Sequence, residues 1–128
     1  MNLFQLGNFV LHSGQQSSFK IECDALTEQG WETMAAVIAN NCELFCNVIG
    51  IPYGGVKLAS CLAKYAVDSD VSPKVLLVDD VLTTGNSMEE YKWHIENEIG
   101  DGPVIGAVVF ARGKCPDWIF PVFQMRSI

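Results

Sequence analysis

A chain of 128 residues, of which 49% are hydrophobic and 18% charged, suits one compact domain with its own core and excludes a disordered or fibrous protein. Its formal net charge of -7 at pH 7 gives it no electrostatic reason to bind nucleic acid or an anionic membrane. The five cysteines include no CxxC pair, so we expect reduced thiols. The sequence shows neither a signal peptide nor an apolar run near the roughly 20 residues that span a bilayer, so we expect a cytoplasmic protein.

The first elements predicted along the chain are two short strands, at 9–11 and 19–23, around a turn signalled by Ser13 and Gly14. Thr27 then offers an N-cap for a helix. Beyond it, apolar spacing and composition predict, in order, a helix at 28–41, a strand at 45–49, a helix at 56–67, a strand at 75–78, a helix at 87–98, a strand at 104–110 and a last strand or cover at 118–125.

The alternation of strands and helices predicts an α/β domain built on an open, mostly parallel sheet with helices on both faces. No linker interrupts the chain, so we expect a single domain, with a small N-terminal segment at 1–26 and a core at 27–128. Ligands of such folds bind at the carboxyl ends of the strands. Three loops should therefore meet at one site: 50–55, 79–87 and 111–116.

The run VLLVDDVLTTGNS, at 75–87, carries the strongest chemical signal. Asp79 and Asp80 follow a buried strand, and a run of small hydroxyl, amide and glycine residues follows them. Gly85 allows a tight turn, and backbone amides at the start of a helix form an anion site. Carboxylates beside such a site suit a vicinal diol and the water shell of a magnesium ion. The run therefore predicts a ligand with a monophosphate close to a diol.

Three other interpretations of this run are weaker. A nucleoside triphosphatase would need a GxxxxGK[ST] loop, which the chain does not contain. A receiver domain has its acid pair near the N-terminus, with room for a later strand. A run that only turns the chain and caps the next helix needs one such polar residue, not six.

The same run resembles the 5-phosphoribosyl 1-diphosphate signature of the type I phosphoribosyltransferases, and it fits that signature at every position. Three further segments are similar to the orotate phosphoribosyltransferase branch: FVLHSGQQSSFKI to its N-terminal hood, GIPYGGVKLA to its pyrophosphate loop, and VVFARG to a late strand ending in a substrate-binding arginine. The resemblance implies a Rossmann-like core with a small hood made by residues 1–26.

The resemblance also implies roles for individual residues. Asp79 and Asp80 would bind the ribose hydroxyls and act in catalysis. Phosphoribosyl binding falls to Val81, Leu82, Thr83, Thr84, Gly85, Asn86 and Ser87. Pyrophosphate binding falls to Tyr53, Gly54 and Gly55. The base side falls to His12, Lys20 and Arg112.

The implied activity is transfer of the phosphoribosyl group of 5-phosphoribosyl 1-diphosphate to a nitrogenous base, an orotate-like pyrimidine, with release of pyrophosphate. The implied cofactor is Mg²⁺, bound through the ligand and water near Asp79 and Asp80 and not directly by the protein. The implied assembly is a homodimer.

Two features depart from the orotate branch. Gly54 stands where the branch often has a lysine, and only Ala66 to Lys74 lies where the branch has a long mobile loop with lysine and histidine. Nine residues cannot form such a lid. These departures favour an alternative: a regulatory module that binds 5-phosphoribosyl 1-diphosphate or a nucleotide without efficient transferase activity.

Overall fold

The N-terminal segment forms a separate two-stranded antiparallel sheet, which we call the hood. In the computed structural model, residues 2–11 and 16–125 are described, except for the side chains of residues 18–20. Strand β1, Phe4–Val10, pairs with β2, Gln16–Ile21, across an irregularity between Leu6 and Phe9. Both strands begin earlier than the apolar pattern predicts, because ladder pairing carries the strand conformation through polar residues as well. The predicted Ser13-Gly14 turn lies outside the described residues.

Three helices follow the hood. Helix α1, Glu28–Asn41, has the predicted bounds, and the side-chain oxygen of Thr27 accepts a hydrogen bond from the Gly30 amide at 3.0 Å. Helix α2, Val56–Leu62, continues as a 3₁₀ turn, Ala63–Tyr65, and so ends before the predicted residue 67. Helix α3, Asn86–Trp93, continues as a π-helical turn, His94–Ile99, and stops at Gly100, whose φ is +82°.

The central sheet has four parallel strands in sequence order, which confirms the predicted open parallel sheet. They are β3, Asn47–Gly50; β4, Val75–Leu82; β5, Val104–Arg112; and β6, Ile119–Met125. The predicted strand at 45–49 starts two residues later, and Phe45 instead packs into the core. Among the described residues, no helix is long and apolar enough to cross a membrane.

Helices cover both faces of this sheet, as predicted. Helices α1 and α2 pack on one face, where Ile38 and Leu58 meet Leu76 and Val78, and the hood adds Ile21 to the same core. Helix α3 packs on the other face, where Met88 and Ile95 meet Leu77, Val104 and Val108. The two cores fix the direction of all four strands, and therefore the edge of the sheet at which the strands end.

Two of the predicted loops are shorter than expected. Strand β4 continues through Asp79 and Asp80 to Leu82, since Asp79 lies opposite Val108 and Leu82 lies opposite Ala111 in β5. Strand β5 likewise continues to Arg112, which lies opposite Met125. The predicted loop 79–87 is therefore reduced to the turn between Leu82 and Asn86, and the loop predicted at 111–116 begins at Gly113.

The connection from Ala66 to Lys74 is a tight turn at the amino end of β4. The Ser72 hydroxyl donates to the Leu44 carbonyl at 2.7 Å, and Lys74 forms an ion pair with Glu43. The Val67 amide donates to the Phe45 carbonyl at 2.9 Å. This segment therefore lies at the opposite end of the strand from Asp79 and Asp80.

Candidate functional site

The acid pair lies half-buried near the carboxyl end of β4. Asp79 Oδ1 accepts a hydrogen bond from the Asp80 amide at 2.8 Å, and Asp80 Oδ1 accepts one from the Val81 amide at 2.7 Å. Burial, and then the neighbouring Asp80 carboxylate, raise the pKa of Asp79 to about 8. The pair can therefore hold one proton at neutral pH, with one carboxyl group able to donate a hydrogen bond and the other able to accept.

The loop between β3 and α2 packs directly against this pair. The Ile51 amide donates to the Val78 carbonyl at 2.9 Å, which ties the loop to β4 just before Asp79. A Cβ on Gly54 would stand 2.5 Å from the carboxylate atoms of Asp80. A side chain at position 54 would therefore require the Asp80 carboxylate to move away from the loop, which gives a physical reason for the glycine. The Tyr53 side chain points into solvent and is 93% exposed.

The turn after β4 leads into the first residues of α3. Gly85 is buried and has a φ of +86°, a left-handed conformation that favours glycine. Thr84, Asn86 and Ser87 are exposed around it, and Thr83 is half-buried.

Two of the predicted phosphoribosyl-binding residues are strand residues. The side chain of Leu82 is buried in the core beneath α3, and the side chain of Val81 packs against the core beneath α1 and α2. The ligand role of both residues stays a prediction, and it would have to be carried by their backbone atoms.

Arg112 ends β5 one residue beyond the level of Leu82. Its Nη1 atom donates a hydrogen bond to Ser17 Oγ in the hood at 2.9 Å. Burial lowers the pKa of its guanidinium group from the ordinary value, although an arginine stays charged in proteins. Of the other predicted base-side residues, His12 and the side chain of Lys20 lie outside the described residues.

Two residues beside the site were not predicted from the sequence: Ser17 and Cys23. Cys23 is buried in the same core cluster as Leu76 and Val78 of β4, more than fifty positions further along the sequence. Burial, followed by the charge of Asp80, raises the pKa of its thiol to about 12. No local pattern signals such a contact.

Among the described residues, most lysines are paired with acids away from the acid pair. Four lysines are used in ion pairs with glutamates: Lys57 with Glu28, Lys64 with Glu32, Lys74 with Glu43 and Lys92 with Glu96. In the described part of the chain, no group of three or more His, Cys, Asp or Glu side chains could hold a metal ion. Asp79 and Asp80 could therefore hold a divalent cation only together with oxygens of a ligand or of water.

Known proteins that resemble this chain are orotate phosphoribosyltransferases. No protein-family model matches the chain. The orotate phosphoribosyltransferase of Sulfurisphaera tokodaii is 28% identical over 160 residues, which take in 98% of this chain and 80% of the relative. Because this alignment is longer than the 128 residues of the chain, the relative has stretches with no counterpart here.

Solved structures show the same fold. The orotate phosphoribosyltransferase of Aeropyrum pernix superposes with a TM-score of 0.76 at 24% identity, over 96% of this chain and 88% of that one. The orotate phosphoribosyltransferase of Mycobacterium tuberculosis H37Rv gives a TM-score of 0.68 at 17% identity, over 95% of this chain and 89% of that one. The chain therefore has the fold of the type I phosphoribosyltransferases and resembles the orotate enzymes in sequence.

Proposed function

We propose that this chain, which has the orotate phosphoribosyltransferase fold, binds 5-phosphoribosyl 1-diphosphate and transfers its phosphoribosyl group to an orotate-like pyrimidine. One observation carries the proposal. The acid pair, the Gly54 loop and the turn at Gly85 meet at one end of β4, with the loop in van der Waals range of Asp80. These parts suit a ribose diol, a diphosphate and a 5-phosphate, respectively.

The reaction exchanges one bond at C1 of the ribose. The bond from C1 to the pyrophosphate oxygen breaks, and the pyrophosphate leaves with the electron pair. A ring nitrogen of the base forms the new bond to C1 and releases its proton to the departing pyrophosphate or to water. Positive charge develops on the ribose in between, and the charge that Asp79 and Asp80 share stabilises it from the diol side. The Gly54 loop and the Gly85 turn hold the two phosphate ends so that C1 faces the base.

Magnesium would supply the charge neutralisation that the diphosphate needs, since Gly54 offers no cation. Asp79 and Asp80 would hold this ion through water, and the bound ligand would supply its remaining oxygens. The resemblance to orotate phosphoribosyltransferases further supports a cytoplasmic homodimer, and sedimentation analysis checks the subunit number.

Ligand binding tests the proposal directly. Saturating 5-phosphoribosyl 1-diphosphate with Mg²⁺ should stabilise the fold by roughly 2.7 kcal/mol at 100 times the dissociation constant, because the ligand binds only the folded chain. Ribose 5-phosphate should stabilise it less, since it lacks the diphosphate. Thermal unfolding measures both, with Mg²⁺ alone as the control. An unchanged melting temperature with saturating ligand and metal would refute the proposal.

A transfer assay with a panel of bases then separates an enzyme from a regulatory module. The Ala66 to Lys74 connection is held at the amino end of β4, so transfer by this chain would have to proceed without a lid from that segment. Nucleotide formation from an orotate-like base establishes the transferase. Strong stabilisation by the ligand without transfer to any base would establish a binding module instead.

Arg112 is the residue on which acceptor choice should depend. Its planar fork of donors matches a carboxylate. We expect Arg112→Ala to reduce use of orotate by roughly ten- to hundred-fold, the effect of losing one charged hydrogen-bonded pair, while binding of 5-phosphoribosyl 1-diphosphate stays nearly unchanged. Arg112→Lys should not restore the activity, because a point charge lacks the fork.

Lys114→Ala is the matched control for this substitution. Lys114 is an exposed cation two residues further along, and its loss changes the net charge by the same amount. Steady-state kinetics with orotate and with a neutral base measure the difference. Equal use of the neutral base by the wild type and by Arg112→Ala, with no loss for orotate, would assign the arginine to another partner.

A further inference from the structure

A hydrogen bond joins the hood to Arg112, the residue that the proposed function assigns to the base. Arg112 Nη1 donates to Ser17 Oγ at 2.9 Å, although the two residues are 95 positions apart. Ser17 is half-buried in β2, directly opposite Phe9 of β1. The bond therefore joins a side chain at the end of a core strand to a paired position in the hairpin.

The hairpin is itself fixed to the sheet near this bond. The Phe4 ring packs edge-on against Phe110, with ring centroids 5.8 Å apart, and Phe110 stacks on Phe123 at 5.4 Å. Phe110 lies two residues before Arg112 on the same strand. Ser17 thus presents its hydroxyl from a framework that is anchored at the strand end that carries the arginine.

An arginine side chain needs such a partner to act as a selective receptor. Its long stem can adopt many rotamers, and a guanidinium group that is fixed beforehand loses less conformational entropy on binding. A guanidinium group carries five N–H donors, and the bond from Nη1 to Ser17 uses one of them. This bond fixes the plane of the group, and the planar fork is what recognises a carboxylate.

We infer that Ser17 is a positioning residue for the acceptor: it orients Arg112 so that the guanidinium group recognises the carboxylate of an acidic pyrimidine. The inference rests on the proposed function. According to this inference, the hood influences which base is accepted. The Ser17 hydroxyl has a role that an alanine cannot replace. A merely structural serine would instead hold the hairpin down and influence every ligand alike.

Nucleotide binding tests this role without requiring turnover. Orotidine 5′-monophosphate and uridine 5′-monophosphate differ only in the base carboxylate, so the ratio of their dissociation constants measures recognition of that group. Titration calorimetry should show that the wild type prefers orotidine 5′-monophosphate. Ser17→Ala should reduce the preference by about tenfold and leave the affinity for uridine 5′-monophosphate unchanged. Ser17→Thr keeps the hydroxyl and should restore the preference.

Further variants separate positioning from general damage to the hood. Arg112→Ala should remove the preference, and adding Ser17→Ala to it should change nothing more, because the serine acts through the arginine. Gln5→Ala is the control within the hairpin, since the Gln5 side chain donates to the Asn2 carbonyl and not to the arginine. It should leave the preference intact.

Each remaining outcome has a definite meaning. Equal weakening of both nucleotides by Ser17→Ala, an unchanged ratio, or a wild type without preference would overturn the inference. If neither nucleotide nor 5-phosphoribosyl 1-diphosphate binds the wild type, the proposed function itself fails.

Discussion

Replacing Asp79 with asparagine should make the fold more stable at pH 8 and should remove most of the pH dependence of its stability between pH 4 and pH 8. The substitution keeps the shape and the acceptor oxygen that receives the Asp80 amide hydrogen bond. What it removes is a carboxyl group whose pKa is raised from 3.8 to about 8, by burial first and by the charge of Asp80 second.

The direction of this effect follows from proton linkage. A raised folded pKa means that the folded state keeps a proton that the unfolded chain releases above pH 3.8. The stabilisation is fully present below that value and is lost as the pH rises to about 8. Each unit of difference is worth about 1.4 kcal/mol, so we expect a loss of the order of a few kcal/mol across the window. Asparagine cannot ionise, and its curve should be nearly flat there.

Chemical denaturation at several pH values measures the effect. Asp80→Asn is the matched control, and it should shrink the pH dependence without abolishing it, because burial of Asp79 remains. Both variants should bind 5-phosphoribosyl 1-diphosphate and Mg²⁺ more weakly. If either variant unfolds while binding per folded molecule is preserved, the two acids are structural and the proposed site is wrong.

Gly55→Ala should destabilise the fold by about 3 kcal/mol, a cost typical of forcing atoms into a packed interior. A Cβ at this buried position would stand 2.3 Å from the Val78 carbonyl oxygen and 2.7 Å from the Ile51 nitrogen. Both are backbone atoms of the site itself, and neither can move without separating the loop from β4. Binding of the diphosphate end should fall together with stability. Urea unfolding and titration with pyrophosphate in Mg²⁺ measure the two losses.

Gly85→Ala separates lack of space from backbone conformation. Gly55 has an ordinary φ of -86° but no room, whereas Gly85 has a φ of +86° and open space around its Cβ position. An alanine at position 85 should therefore cost only about 1 kcal/mol. A larger loss for Gly85→Ala than for Gly55→Ala would mean that the close approach of the loop to β4 is not what the fold depends on.

Much of the architecture could be predicted because it depends on local features of the sequence, such as capping residues and the spacing of apolar residues. Helix α1 has the predicted bounds, since Thr27 caps it and its apolar residues recur at helical spacing. The ends of β4 and β5 could not be predicted, because pairing with a neighbour extends a strand past the last apolar residue, as it does at Asp79 and Arg112. An apolar pattern marks only the hydrophobic part of a strand, whereas backbone pairing with a neighbouring strand can continue through polar residues.

The candidate site was predictable in part for the same reason. The acid pair and the glycine turn form one contiguous run, and the run alone indicates a sugar-phosphate ligand. The contact of Gly54 with Asp80 and the bond from Arg112 to Ser17 join distant parts of the chain. Such contacts exist only after folding. The structure therefore supplies a reason for Gly54 that the sequence could present only as a departure.

The bond between the hood and Arg112 affects the order in which the parts of the protein fold. During synthesis the hairpin emerges early, yet its aromatic anchor Phe110 and its polar partner Arg112 emerge much later. Closing a contact across 95 positions costs loop entropy that only a nearly complete sheet can offset. A nascent chain cannot dock its hood on Phe110 and Arg112 before β5 has joined the sheet, so the bond between Ser17 and Arg112 forms late in folding.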